Sequence, residues 1–148
     1  MEYRIIDTTE VQLEQIEEIE QQCFSCPWTL DQLRNQLSDD RHVFLAAVEE
    51  SGAVLGYVGM MFVLDEGYIS NVAVAPAFRR QGVANTLISA LMTRAEELSL
   101  AFVTLEVRAG NEPAKSLYAK HGFVPVGRRK NYYDLPKEDA ILMTRFWK

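Results

Sequence analysis

Three groups of residues in this 148-residue chain have types and spacing that bear on chemistry. The first is Val72-Ala73-Val74-Ala75-Pro76-Ala77-Phe78-Arg79-Arg80-Gln81-Gly82-Val83-Ala84: an apolar run that stops at a proline, a basic turn with a glycine, and the opening of an amphipathic helix. The first amides of a helix have no partner within it, and the helix dipole adds partial positive charge there. Gly82 removes a Cβ that would hold a ligand off the backbone, and Arg79 and Arg80 add two charges. Such a turn suits a phosphate or pyrophosphate; the alternative is a solvated turn whose arginines face water. No G-x-x-x-x-G-K-[ST] run occurs, and no G-x-G-x-x-G follows a strand, so two common phosphate loops are excluded. The second group is Glu106 in Leu105-Glu106-Val107-Arg108-Ala109-Gly110-Asn111. A carboxylate in an apolar strand is unusual unless it is paired or functional. It reads as a general base or as the partner of Arg108, Arg128, Arg129 or Lys130. The third is Tyr118, on one helical face with Ala114 and Leu117, which taken alone reads as a core aromatic.

These residues need elements to place them. Residues 3–6 read as a short strand. Thr9-Glu10-Val11-Gln12 is a capping box, and Leu13, Ile16 and Ile19 continue with helical spacing. Glu10, Glu14, Glu17, Glu18 and Glu20 are assigned to the solvated face of that helix. Thr29-Leu30-Asp31-Gln32 is a second box, stapled by Trp28 and Leu33, and predicts a helix to about residue 37. Residues 43–48, 54–64 and 68–74 read as three antiparallel strands, joined by turns at 49–53 and at Asp65-Glu66-Gly67. The two glycines in the second of them predict a bend or bulge. Val83, Leu87, Leu91, Ala95 and Leu98 mark the buried stripe of the helix after Gly82. Residues 102–107 read as a strand buried on both faces. Asn111 caps a helix with Pro113 in its first turn, and Gly122 ends it. Two last strands, 123–133 and 140–146, flank a loop at 134–139. The order is βααβββαβαββ: an α/β (α+β) fold with a mixed, mostly antiparallel sheet of about seven strands and four helices.

The length predicts a single domain over residues 1–148. Fifteen basic and 21 acidic residues give a net charge of −6, which argues against a nucleic-acid-binding surface and is compatible with a basic peptide substrate. No apolar run is long enough for a membrane span, and Met1-Glu2-Tyr3-Arg4 lacks the layout of a signal peptide, so a cytoplasmic location is expected. Cys23 and Cys26 are spaced C-x-x-C but end a helix rather than open one, and zinc would need about four ligands. They read as reduced structural thiols.

Arg79-x-x-Gly82-x-Ala84 resembles the Q/R-x-x-G-x-G/A signature of the GNAT acetyltransferase superfamily, and the element order is similar to the GNAT fold across essentially the whole chain. The resemblance implies that Arg79, Arg80, Gln81, Gly82, Val83 and Ala84 hold the pyrophosphate of acetyl-CoA. It also implies that the pantetheine arm lies along Asn71-Val72-Ala73-Val74, whose backbone amides flank the thioester. Asn111-x-x-Ala114-x-x-Leu117-Tyr118-x-x-x-Gly122-Phe123 resembles the region beside the coenzyme A thiol. There Tyr118 would protonate the leaving thiolate, and Asn111 would contact the pantetheine or phosphate arm.

Four further runs are similar to the bacterial ribosomal-protein-alanine N-acetyltransferases of the RimI type. They are Pro27-Trp28-Thr29, Leu105-Glu106-Val107-Arg108-Ala109, Arg129-x-Asn131-Tyr132-Tyr133 and Glu138-Asp139-Ala140-Ile141-x-Met143. This resemblance makes Glu106 the general base and puts Pro27, Trp28, Tyr132 and Tyr133 near a substrate peptide. It implies direct acetyl transfer, without a metal, to the N-terminal alanine of small-subunit ribosomal protein eighteen; a monomer is expected. The competing readings are acetylation of a small free amine or a Lys side chain, and a non-catalytic CoA-binding module.

Overall fold

The structure, a computed structural model, describes residues 2–148. Its elements follow the expected order. Strand β1 (Tyr3–Asp7) leads through a 3-10 turn into helices α1 (Leu13–Cys23) and α2 (Leu30–Ser38). Strands β2 (His42–Glu49), β3 (Val54–Val63) and β4 (Glu66–Val74) follow, then α3 (Val83–Glu97), β5 (Phe102–Arg108), α4 (Glu112–Lys120), β6 (Val124–Asp134) and β7 (Lys137–Phe146). Both capping boxes form: Thr9 with Gln12 ahead of α1, and Thr29 with Gln32 at α2. The seven strands make one sheet in the order β1-β2-β3-β4-β5-β7-β6. Every neighbouring pair is antiparallel except β4 and β5.

Helices cover both faces of the sheet. The larger core lies under α3 and α4 and includes Leu87, Leu91, Val103, Leu105, Val107, Tyr118 and Phe123. The smaller lies under α1 and α2 and includes Leu13, Ile16, Leu33, Phe44, Tyr57 and Ala73. A bulge separates the two along β4. Gly59 pairs with Asn71 and Met60 with Ile69, so Ser70 is the extra residue. The bulge shifts the alternation: Ile69 faces the larger core, while Ala73 faces the smaller.

Five expectations are corrected. The β3–β4 turn is tighter than Asp65-Glu66-Gly67, because Leu64 takes a left-handed φ of 56° and Glu66 already pairs with Val63. Leu98 is exposed at the α3 C-cap: Ser99 adopts φ 57°, its N–H and that of Leu100 bond back to Glu96 and Ala95, and Leu100 takes the buried place. Strand β5 is fully buried on one face, with Val103, Leu105 and Val107 inside, and only partly covered on the other, which carries Glu106 and Arg108. The expected loop at 134–139 is a two-residue turn, Leu135-Pro136 with a cis bond, because Lys137 already pairs with Asp134. Glu20, assigned to the solvated face of α1, is completely buried. It falls one turn beyond Leu13 and Ile16 on the same stripe, so the periodicity that placed those residues places it too.

Strand β3 approaches β4 closely at Gly56, where a Cβ would come within 2.7 Å of the Ala73 carbonyl oxygen. Gly56→Ala is expected to lower stability by about 1–3 kcal/mol, measured as a lower urea midpoint. An unchanged midpoint would mean that β4 yields to the methyl group.

Candidate active site

Pairing between β4 and β5 is brief. Glu66, Gly67 and Tyr68 pair with Phe102, Val103 and Thr104, and the ladder ends there. Beyond it β4 remains paired with β3 as far as Val74, and β5 with β7 as far as Arg108. The two strands therefore splay and leave a wedge in the middle of the sheet. A cavity of about 620 Å³ occupies the wedge, lined by residues 69–72 of β4 and 105–108 of β5. One end is built by the α1–α2 loop (Phe24, Ser25, Cys26, Trp28) and the β6–β7 hairpin (Tyr132, Tyr133, Leu135), and α4 contributes Asn111, Ala114 and Tyr118. The Ser25 hydroxyl donates to the Leu135 carbonyl at 2.8 Å, so loop and hairpin touch across the rim.

Glu106 points to the face opposite the larger core, and its side chain is 7% exposed. Of the proposed ion-pair partners, Arg129 is the one in contact, with Nε 3.4 Å from Oε2. Arg108 instead pairs with Glu138 at 3.3 Å and donates to the Pro136 and Leu135 carbonyls at 2.8 and 3.2 Å. Its guanidinium also lies 4.2 Å from the centre of the Tyr133 ring. Arg108 thus ties the hairpin to β5 and sets Tyr133 over the cavity. Tyr132 and Tyr133 pack edge to face, with centroids 5.1 Å apart.

The Glu106 carboxylate acts on three phenols. Burial and then Glu106 push Tyr68 well above the ordinary tyrosine range. Tyr132 is raised mainly by the Glu106 carboxylate beside it. Tyr133 is pushed up to about 12, by burial first and the Glu106 charge second. All three stay protonated at neutral pH and present O–H groups rather than charges.

Tyr118 lies on the other face, in the larger core, with its ring centroid 5.8 Å from Phe123. Burial, and secondarily Tyr133, hold its phenol above the usual range. Asn111 caps α4 by accepting from Ala114 N–H at 3.2 Å.

The cavity thus brings together Trp28, Val72, Glu106, Asn111, Tyr118, Tyr132 and Tyr133. The other expected site residues lie outside its lining. Pro27 is half-buried in the loop beside Trp28. Ala73 packs in the smaller core, and the Val74 carbonyl accepts from Arg79 Nε at 3.3 Å. Arg79 also reaches Cys23 Sγ at 3.2 Å, so its guanidinium folds back along β4. The turn of Arg80, Gln81, Gly82, Val83 and Ala84 stands past the end of β4. Gly82 has φ 79° and ψ 9°, and a Cβ there would meet nothing within 4 Å. The backbone, rather than crowding within the protein, therefore requires the glycine. Thr86 N–H bonds to the Gly82 carbonyl at 3.0 Å, so the amides of Val83, Ala84 and Asn85 precede the first intrahelical bond and open outward.

Sequence reasoning missed two residues of the cavity region, Glu20 and Tyr68. Helical periodicity carried the signal for Glu20. Nothing in the local sequence marks Tyr68, which gains its importance from the point where the ladder stops.

The acetyltransferase (GNAT) family model matches residues 13–123. The chain belongs to the GNAT acetyltransferase family. It is 35% identical to the ribosomal protein bS18-alanine N-acetyltransferase of Haemophilus influenzae over 133 residues, which cover 88% of this chain and 89% of that one. It superposes on the crystal structure of the ribosomal-protein-S18-alanine N-acetyltransferase from Escherichia coli with a TM-score of 0.90 at 29% identity, covering 98% and 94% of the two chains. The Arabidopsis thaliana NAA60 structure in complex with acetyl-CoA shares the fold, with a TM-score of 0.89 at 22% identity and 99% of each chain covered. This GNAT acetyltransferase is therefore an enzyme of the expected fold, with a mixed seven-stranded sheet and four helices.

The phenol cluster of this acetyltransferase can be tested without a substrate. Glu106→Gln removes a negative charge that raises Tyr133, so the Tyr133 phenol should titrate below about 12 while burial keeps it above the ordinary tyrosine value. An NMR pH titration of labelled tyrosine ring carbons reads the change, and an unmoved Tyr133 would place the carboxylate elsewhere.

Proposed function

We propose that the whole chain is one N-acetyltransferase domain that transfers acetyl from acetyl-CoA to the N-terminal alanine of ribosomal protein bS18. The observation that carries this reading is the placement of Glu106 and Tyr118 on opposite faces of one cleft through the sheet. The names of the relatives at one third identity or better supply the acceptor.

Acetyl-CoA supplies an acetyl group activated as a thioester. The protein has a cradle that fits its pyrophosphate: left-handed Gly82, the outward amides that open α3, and Arg80. Val72, Ala73 and Val74 border the splay, and Val72 lines the cavity, so their backbone is placed to follow the pantetheine arm. Asn111 and Tyr118 line the same cavity from α4.

On the acceptor side, Trp28 with Pro27 beside it, Tyr132 and Tyr133 form the walls for the peptide end. Glu106 takes a proton from the α-ammonium, directly or through one water. The task is modest, since an α-amine titrates near 7.7–8.0 whereas a lysine titrates near 10.4. This difference favours a peptide terminus over a Lys side chain when a carboxylate is the base. The neutral amine attacks the thioester carbonyl, the C–S bond breaks as the C–N bond forms, and Tyr118, kept protonated by burial, supplies the proton to the departing CoA sulfur from the opposite face.

Intact-mass analysis of an Ala-starting bS18 peptide incubated with enzyme and acetyl-CoA tests the reading. One added acetyl group on the α-amine is expected. Acetylation of spermidine or free lysine instead would move the activity to a small amine, and binding of acetyl-CoA without turnover would leave only a CoA-binding module.

Glu106→Gln should bind acetyl-CoA normally and lose on the order of 10²-fold in turnover near neutral pH. The deficit should shrink as pH rises past about 8, because the amine then arrives deprotonated. If Glu106 serves only as the partner of Arg129, kcat/KM for variant and wild type would keep a constant ratio from about pH 6 to 9.5.

A further inference from the structure

The mechanism leaves Glu20 without a role. Its side chain is fully buried on the face of α1 that carries Leu13, Ile16 and Ile19, at the edge of the cavity. An apolar side chain would suit that stripe, whereas a buried carboxylate is expensive unless it is paired. Glu20 Oε1 accepts the Trp28 N–H at 2.7 Å, and Oε2 has no hydrogen-bond partner among the described residues. Burial raises its carboxyl, and the Trp28 N–H and the neighbouring Asn71 amide work in the opposite direction.

Both neighbours belong to walls of the cleft. Trp28 stands in the loop that faces the acceptor side, and Asn71 is the first residue after the Ser70 bulge in β4. Asn71 is itself fixed, since its amide donates to the Tyr57 hydroxyl at 3.3 Å and its carbonyl accepts from Ser70 at 3.0 Å. Folding of the loop has a separate anchor, because Glu17 accepts the Leu30 N–H at 2.7 Å.

We propose that Glu20 is a positioning residue that ties the acceptor-side loop, through Trp28 N–H, to α1 at the edge of the cavity and so sets the geometry in which the acceptor peptide docks. The Glu20 hydrogen bond goes to the loop and not to the pyrophosphate turn, so the effect falls on one substrate only. The inference rests on the peptide acetyltransferase reading above.

The test measures KM for an Ala-starting bS18 peptide and for acetyl-CoA in Glu20→Leu and Glu20→Gln, with active sites counted by CoA binding. Leucine has similar volume but accepts no hydrogen bond. It should raise the peptide KM at least tenfold and leave the acetyl-CoA KM within twofold. Glutamine keeps a carbonyl for Trp28 N–H and should restore the peptide KM to within about threefold of wild type. Exchange of the Trp28 amide with solvent should be fast in the leucine variant and slow in the glutamine variant. If Glu20→Leu does not fold, Glu20→Asp, charged but one methylene too short to reach, replaces it with the same expected split. An unchanged peptide KM in the folded variant, or equal rises in both KM values, overturns the role of Glu20. A wild-type enzyme that acetylates no peptide overturns the acceptor reading itself.

Discussion

The parallel ladder between β4 and β5 runs from Glu66–Phe102 to Tyr68–Thr104 and then stops. Buried backbone amides and carbonyls normally find partners, so a strand pair that parts inside a sheet exposes hydrogen-bonding edges where a fold usually hides them. Here each strand keeps its outer partner, β3 or β7, and the unpaired inner edges line the cleft. The Ser70 bulge in β4 adds to the effect by turning the following residues, Asn71 and Ala73, toward the smaller core. The helices then close the wedge from both faces: α1 and the loop after it on one, α4 on the other.

A second constraint is electrostatic. One carboxylate, Glu106, sits among a guanidinium and three tyrosines. Its charge makes the neighbouring phenols harder to ionise, and they remain hydrogen-bond donors in a half-buried space where an additional anion would be costly. The two arginines nearby divide the work. Arg129 meets the carboxylate, while Arg108 holds the hairpin tip and stacks on Tyr133. An Arg at position 108 has the planar fork this needs, since it meets two carbonyls, a carboxylate and a ring at once.

Most of the fold was legible because local signals agreed with one another: two capping boxes, the Gly122 helix end, and alternation or helical spacing in nearly every element. The turn chemistry misled where a residue other than glycine took a left-handed backbone, at Leu64 and at Ser99. The site was legible where residues adjacent in sequence act together, as in the turn after Pro76 and the Asn111–Tyr118 helix. It was not legible where partners come from distant strands. Tyr68 meets Glu106 only because of where a ladder ends, and the choice of Arg129 over Arg108 depends on the register of β6 against β7. Glu20 was misassigned for a different reason: its chemical type outweighed its position on the helical stripe.

The Ser25–Leu135 bond across the rim has a topological consequence. A bridge across part of an opening narrows the slot into which a continuous chain could be laid sideways. Such a bridge favours what enters tip first, a chain terminus or the end of a long side chain, over a mid-chain segment. Discrimination between the end of a polypeptide and its middle would then begin at the doorway, in the connectivity of two loops, before any side chain inside has been consulted.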